Sequence, residues 1–432
     1  MATAFASSGA VGTPRGWRCA VVASTLLVRS LLAAAPARAT ELTLLHSWSN
    51  ESEIAALRVY VQAFEARGHK IVELSAPHEQ AGLSPLVSLI LAGRPPNVFA
   101  ASQTNMYREI RDRGLGQALG EHFRRIGAWE NFPPIVREVI SIDGEVRKVP
   151  TGIHVDGMLY YNPKVAAAAG VDPRAWRTLD EMFADITKVQ QAGYNFMAVG
   201  GNTFQAGYLF HALLAAIGGR QVFYQFYRDT PNVSVFESPE LRRAIEVFRR
   251  ITSQADAGWS NRSWAESTNT VISGKTLMHY HGDWMKGQWR AQGKRLGEDF
   301  NCINLPGAQA LSVTVDALGV LGGKGVTAET LAAELEFATV VVDPANNGAF
   351  AALKGSTPIR TDAPASGLDP CNQLVLTSLT RADYSVQNPF YVGDSDWINS
   401  VWNTMYTFQC DPRMSTDDVL RRLRSEQRAI FP

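Results

Sequence analysis

Beyond residue 40 the chain opens with two alternating rhythms of hydrophobic and polar positions. Residues 42–46 form a short apolar run that predicts a strand, while Ile54, Leu57, Val61 and Phe64 recur at helical spacing and predict a helix over 51–66. Residues 70–74 read as a second strand, 83–92 as a helix and 97–100 as a third strand. Strands separated by helices predict a parallel sheet covered on both faces. Ligands of such sheets sit at the carboxyl ends of the strands, which makes the loops 46–53 and 101–105 the first places to look for a site.

The rhythm breaks at Lys148-Val149-Pro150-Thr151-Gly152, a turn-rich stretch followed by an extended apolar run over 158–161. The chain then reads as mainly helical up to 307, with aromatic patches at 208–210 and 223–227 and an amphipathic helix over 240–252. A strand pattern returns over 308–320, a helix follows over 328–342, a loop over 353–360, and the remainder is helical again. No internal repeat or low-complexity tract interrupts it. Two differently textured blocks, each entered more than once, are the mark of two lobes joined by several crossings and hinged over a cleft. The expected architecture is α/β, with discontinuous lobes: 40–152 plus 310–355, and 153–309 plus 356–432.

Composition changes the picture first at the N-terminus. Arg15 and Arg18, an apolar run over 20–35 and the small-x-small triplet Ala37-Arg38-Ala39 read as a cleavable signal peptide over 1–39, giving a mature chain that starts near Thr40 in the periplasm. Gly16-Trp17-Arg18 before Cys19 is no lipoprotein acylation box, and no later run of about 20 apolar residues offers a membrane span. The chain carries 41 basic and 41 acidic side chains, and loss of Arg15, Arg18, Arg29 and Arg38 leaves 37 against 41. That mild negative balance offers no field for nucleic acid or anionic lipid. The mature length, about 390 residues, suits two domains. Cys19 leaves with the leader. Cys302, Cys371 and Cys410 match no zinc or redox spacing, and an exported chain accommodates either one disulfide or three buried thiols.

Enzyme signatures fail on inspection. Gly274-Lys275-Thr276 resembles the end of a P-loop, but the required earlier glycine is Asn269. No zinc-protease helix, nucleophile elbow or paired-cysteine motif occurs. His279 and His281 flank Tyr280 in a predicted strand, where alternation places both on one face. A packed pair is the expectation there, with no metal and no cofactor.

Four segments in order carry a family likeness: Leu44-Leu45-His46-Ser47-Trp48-Ser49-Asn50-Glu51-Ser52-Glu53; Val149-Pro150-Thr151-Gly152-Ile153-His154 through Leu159-Tyr160-Tyr161-Asn162; Gly274-Lys275-Thr276-Leu277-Met278 into Gly282-Asp283-Trp284; and Lys354-Gly355-Ser356-Thr357-Pro358-Ile359-Arg360. Together they resemble the family 1 extracellular solute-binding proteins of sugar ABC importers, and within them the glucose/mannose-binding branch. Ser47 stands where that branch has the first of two tryptophans, Asn105 where it has a lysine, and its late histidine has no counterpart near 384–390. The resemblance implies a two-lobed periplasmic binding protein fold with a hinge and no catalytic residues. It implies a monomer that captures a monosaccharide such as glucose or mannose, or a related polyol, for the membrane permease of an ABC transporter.

By the same likeness the ligand contacts are Trp48, Glu53, Gln103, Asn105, Phe204, Gln205, Asp283, Trp284, Asp316 and Lys354. The residue types suit the task, since flat aromatic faces cover the C–H surfaces of a sugar ring while charged and amide groups bond its hydroxyls. Trp48 is expected to stack on the ligand. Glu53 is a ligand contact or, three residues after Asn50, the far end of a capping box. Lys354 is expected in a loop, donating to hydroxyls beside a carboxylate, and His154 as a satisfied structural histidine. A secreted carbohydrate-active hydrolase is the alternative, because it too gathers tryptophans and a pair of carboxylates. Glu53 and Asp316 in one lobe near Lys354 favour binding.

Overall fold

The computed structural model describes residues 39–76, 83–101, 104–228, 232–322, 326–364, 368–379, 381 and 383–432. The expected leader, up to residue 38, and Gln103 lie outside the described residues.

The N-terminal alternation folds as its periodicity predicts. Strands β1 (Glu41–His46), β2 (Lys70–Ser75) and β3 (Val98–Ala100) run parallel, with β1 paired to both others. A hairpin of β4 (Ser141–Ile142) and β5 (Glu145–Val146) turns through Asp143-Gly144, both at positive φ as a two-residue hairpin demands. The turn-rich break is a crossing. It comprises β6 (Lys148–Val155), which belongs to the first sheet, and β7 (Met158–Tyr161), which belongs to a second. That second sheet adds β8 (Asn195–Ala198), β9 (Thr276–His281) and β10 (Asn301–Ile303) in the order β10-β7-β9-β8. The chain returns through β11 (Leu311–Val320), antiparallel to β3 and β6. Finally β12 (Ser385–Gln387) pairs parallel with β11, so one strand of the 356–432 segment, read as helical and placed with the second lobe, joins the first sheet instead.

Helices that position the site are α1 (Glu51–Glu65), α2 (Thr203–Tyr227, broken at Gly219), α3 (Met285–Ala291), α4 (Ala328–Val342), α5 (Pro344–Lys354), α6 (Pro370–Leu379) and α7 (Ser395–Cys410). Each sheet carries its own apolar core. Leu42 and Leu44 pack with Leu57, Tyr60 and Phe64 of α1 and with Phe337 and Phe350 on the first. Tyr160, Met278, Phe210, Trp289 and Trp397 pack on the second. Of the predicted apolar stripe of α1, Leu57, Val61 and Phe64 are buried, whereas Ile54 in the first turn is 41% exposed.

Two devices tie the crossings. Cys302 of β10 and Cys371 of α6 form a disulfide with Cα atoms 6.1 Å apart, while Cys410 is free and exposed. The closed loop contains β11, α4 and α5. At the β6–β7 junction the buried Asp156 carboxylate accepts from Ser312 Oγ (2.5 Å), Thr314 Oγ1 (2.5 Å) and Asn388 Nδ2 (2.9 Å), and lies 3.2 Å from His211 Nε2. Burial alone would raise its pKa, but His211 and the two hydroxyls outweigh burial and hold the carboxyl below its ordinary value.

Candidate ligand-binding site

Local sequence explains how the charged groups reach the ends of the first sheet's strands. Asn50 caps α1 by accepting from the Glu53 N–H at 3.0 Å, and Glu53 Oε2 accepts in return from the N–H groups of Ser49 (3.1 Å) and Asn50 (3.4 Å). The capping box uses one carboxylate oxygen only. The other, Oε1, accepts from Lys354 Nζ at 3.2 Å.

Lys354 is not in a loop, as the sequence led us to expect. It is the last residue of α5, which Gly355 terminates in the left-handed conformation (φ +87°). A Cβ at 355 would fall 2.5 Å from the Gly287 nitrogen, so glycine there lets the end of α5 meet the start of α3. Lys354 Nζ also lies 3.9 Å from Asp316 Oδ2 on β11. Asp316 Oδ2 lies in turn 3.3 Å from His154 Nε2 on β6, and the other ring nitrogen, Nδ1, makes a short hydrogen bond to Asp283 Oδ1 in the turn after β9. His154, expected as a satisfied structural histidine, has a carboxylate facing each of its ring nitrogens.

Five side chains, Glu53, Lys354, Asp316, His154 and Asp283, therefore alternate in charge from the first sheet to the second. Burial works against charge on His154, but Asp283 and Asp316 outweigh it and raise the imidazole to about 9. Burial likewise opposes charge on Lys354, and Glu53 and Asp316 prevail, raising it above the usual lysine range. The chain is most open to water at Asp316, whose side chain is 21% exposed. At its far end Asp283 is fully buried, and its Oδ2 has no hydrogen-bond partner among the described residues.

An aromatic wall adjoins this chain. The Trp284 ring lies against Gly282, where a Cβ would sit 2.1 Å from it. It meets His281, Tyr208 and His154 edge-on at 5.0, 5.4 and 5.5 Å between centroids. Phe204, in the first turn of α2, packs 4.5 Å from Tyr208, and Trp402 of α7 lies 5.7 Å from Tyr208. His279 and His281 stack at 5.0 Å, on one face as alternation predicts. Burial lowers both, His279 to about 3, which leaves this wall uncharged.

The remaining sequence-predicted residues fare differently. Trp48 is buried in the first core with its ring 5.7 Å from Phe350, so it is a packed tryptophan and not an open stacking face. Gln205 donates from Nε2 to the Arg262 carbonyl at 3.0 Å. It also lines a cavity of about 10 Å³ with His281 and Gln409, room for about one water. Asn105 lies in the helix Thr104–Asp112. Sequence reasoning missed Tyr208 and Trp402. Tyr208 falls one helical turn after Phe204, a spacing that could have found it. Trp402 gave no local signal.

A wider cavity of about 340 Å³ is lined by Tyr161, Arg174, Asn301, Cys302 and Asp369, beside the disulfide. It contains one carboxylate and none of the alternating chain, so chemistry, not volume, selects the site. Among the described residues no group of three or more His, Cys, Asp or Glu is arranged to hold a metal.

Comparison with known proteins shows the family and the fold. Residues 60–370 match the family described as bacterial extracellular solute-binding protein. A probable sugar-binding periplasmic protein of Mesorhizobium japonicum is 27% identical over 369 residues, covering 84% of this chain and 86% of that one. A protein of the same description from Brucella suis is 26% identical over 396 residues, covering 88% and 90%. Among solved structures, the bacterial solute receptor AcbH superposes with a TM-score of 0.76 at 14% identity, over 91% of this chain and 100% of that one. At that identity the likeness is one of fold, the two-lobed α/β fold expected from the sequence.

Proposed function

The chain belongs to the bacterial extracellular solute-binding proteins, and from that premise we propose that it captures an uncharged, monosaccharide-sized polyhydroxyl ligand in the periplasm and delivers it to an ABC transporter permease. The alternating chain from Glu53 to Asp283 beside Trp284 is the observation that carries this reading. A sugar offers hydroxyls that donate and accept along its edge and C–H surface on its faces, which complement such a site. An anionic ligand would meet three carboxylates against two cations that are already paired. The sugar-binding descriptions of the relatives support the same class. Ser47 and Asn105, in place of larger groups, favour another aldose or a polyol over glucose.

Ligand groups held by both sheets give the closed state its differential affinity, and closure follows from that difference. We place the lobes at 40–152 with 310–355, and 153–309 with 356–432, apart from β12, and take the protein to act as a monomer. The hydrolase alternative needs one carboxyl kept protonated as an acid. Here each of the three carboxylates lies beside a cation, an arrangement suited to holding hydroxyls.

The test is a thermal-shift and calorimetric screen of the mature protein against D-glucose, D-mannose, D-galactose, D-xylose and D-sorbitol. A ligand at a hundred times its Kd stabilises by about 2.7 kcal/mol. No shift with any of them, or aryl-glycoside turnover abolished by Glu53→Gln, would overturn the proposal.

A further inference from the structure

We infer that His154 is a positioning residue that sets ligand affinity, by holding Asp283 and Asp316 as a pair of ionised acceptors for two hydroxyls of one ligand. The inference rests on the sugar reading above and adds to it which group makes the grip possible.

The geometry is specific. His154 lies on the crossing strand β6 with its side chain 1% exposed, and it reaches one carboxylate with each ring nitrogen. Asp316 stands on β11 of the first sheet, while Asp283 follows β9 of the second. Asp283 is buried and Asp316 is partly so, and two carboxylates this close would repel without a cation between them. The imidazolium stands between them, bonded to Asp283 Oδ1 and 3.3 Å from Asp316 Oδ2. Asp283 Oδ2 stays buried without a partner among the described residues, which is the condition of an acceptor awaiting a donor.

Other charges face this group from every side. Lys354 of α5 and Glu53 of α1 continue the chain beyond Asp316. Lys286 of α3, near Asp283, is held by Asp369 at 3.1 Å, and Asp369 also takes Arg290 at 2.6 Å. The phenols of Tyr160, Tyr208 and Tyr391 are pushed up by burial and stay neutral. Burial lowers Lys286 from its ordinary range, while Asp283 and Asp316 raise His154. The His154 charge is present below about 9 and lost as pH climbs through that value, whereas Lys354 keeps its charge further. Affinity should be flat from about pH 6 to about pH 8 and fall above about pH 9.

The experiment joins two readouts on the mature protein. Nitrogen-15 NMR of its histidine side chains, with His154 assigned by loss of its signal in His154→Gln, should find this imidazole titrating near 9. Asp283→Asn should move that titration down. Calorimetry with the five sugars named above should find affinity reduced at least about tenfold in His154→Gln at neutral pH, with the alkaline fall abolished. Titration of His154 at its ordinary 6.5 overturns the inference, as does unchanged affinity and pH profile in His154→Gln. Should His154→Gln fail to fold, the wild-type titration and Asp283→Asn decide. If none of the sugars binds, the proposed function fails while the imidazole titration still judges the bridge.

Discussion

Lys354 offers the sharpest test of the charge chain, because Lys354→Met keeps the length of the buried stem and deletes only the ammonium. That ammonium lies 3.2 Å from Glu53 and 3.9 Å from Asp316, with the lysine side chain 5% exposed and the carboxylates 15% and 21%. Breaking a buried ion pair by removing one partner costs about 3–5 kcal/mol. The partial water contact of both carboxylates places this case at the low end, about 3 kcal/mol. For a lobe of about 200 residues each kcal/mol is worth about 2–4 °C, so Tm should fall by roughly 6–12 °C. Affinity for the sugar found in the screen should fall at least about tenfold, since a buried acceptor left unpaired costs about 1–3 kcal/mol. Thermal unfolding and calorimetric titration of Lys354→Met, Glu53→Gln and the double variant measure both effects. The double variant should cost less than the sum, with a coupling of about 0.5–3 kcal/mol. Additive effects with unchanged affinity would show that Lys354 and Glu53 act independently and that the site lies elsewhere.

Three further outcomes are expected. Asp156→Ala strips Ser312, Thr314, Asn388 and His211 of their shared acceptor and should lower unfolding free energy by at least about 3 kcal/mol in urea at neutral pH. Because the Asp156 pKa is depressed, its contribution is complete above the ordinary carboxylate range and lost as pH falls below about 4, a loss that Asp156→Asn should not show. Replacing Cys302 and Cys371 by serine opens a loop of 69 residues and should cost about 4 kcal/mol, read as a lower urea midpoint that reductant no longer affects. Trp48→Ala should cost about 3–5 kcal/mol of stability, as for any buried tryptophan, while Trp48→Phe keeps sugar affinity within about threefold; a selective loss of affinity in Trp48→Phe would restore it as a stacking face.

The layout of the fold was legible wherever a local period decided it. The strand and helix alternation over 42–100, the amphipathic helix read over 240–252 and the strand read over 308–320 follow from spacing alone, and the structure forms the last two at Pro239–Thr252 and Leu311–Val320. The short strand β12 was missed because Ser385–Gln387 is too brief to show a period and is held by β11, far along the chain. For the site, family likeness proposed Glu53, Asp283, Asp316 and Lys354, and the structure brings all four together. It offered Trp48 as a stacking ring, whereas the structure packs it against Phe350, and a tryptophan two residues past a strand end reads the same in either place. It undervalued His154, because nothing near a histidine in sequence says that two aspartates from different sheets will meet its ring. The spacing of three cysteines left the disulfide open, since pairing depends on the return of α6 to β10.

His154 and Asp156 stand two residues apart at the same crossing and divide its labour by what their partners have left over. Asp156 is an anion whose acceptor capacity is consumed within the protein by two hydroxyls, an amide and His211, so it fastens the junction and has nothing to offer a ligand. His154 is a cation bonded to Asp283 through Oδ1, and Asp283 keeps its Oδ2 beyond that bond. The first arrangement is closed whether or not a ligand is present, and its loss should appear as stability. The second is complete only when a donor reaches Asp283 Oδ2, and its loss should appear as affinity. That separation lets one short stretch, from the end of β6 into its junction with β7, anchor the two sheets and sense what lies between them. It also requires that Asp156→Asn and His154→Gln differ in kind: the first changes the urea midpoint more than the Kd, the second the Kd and its pH dependence more than the midpoint.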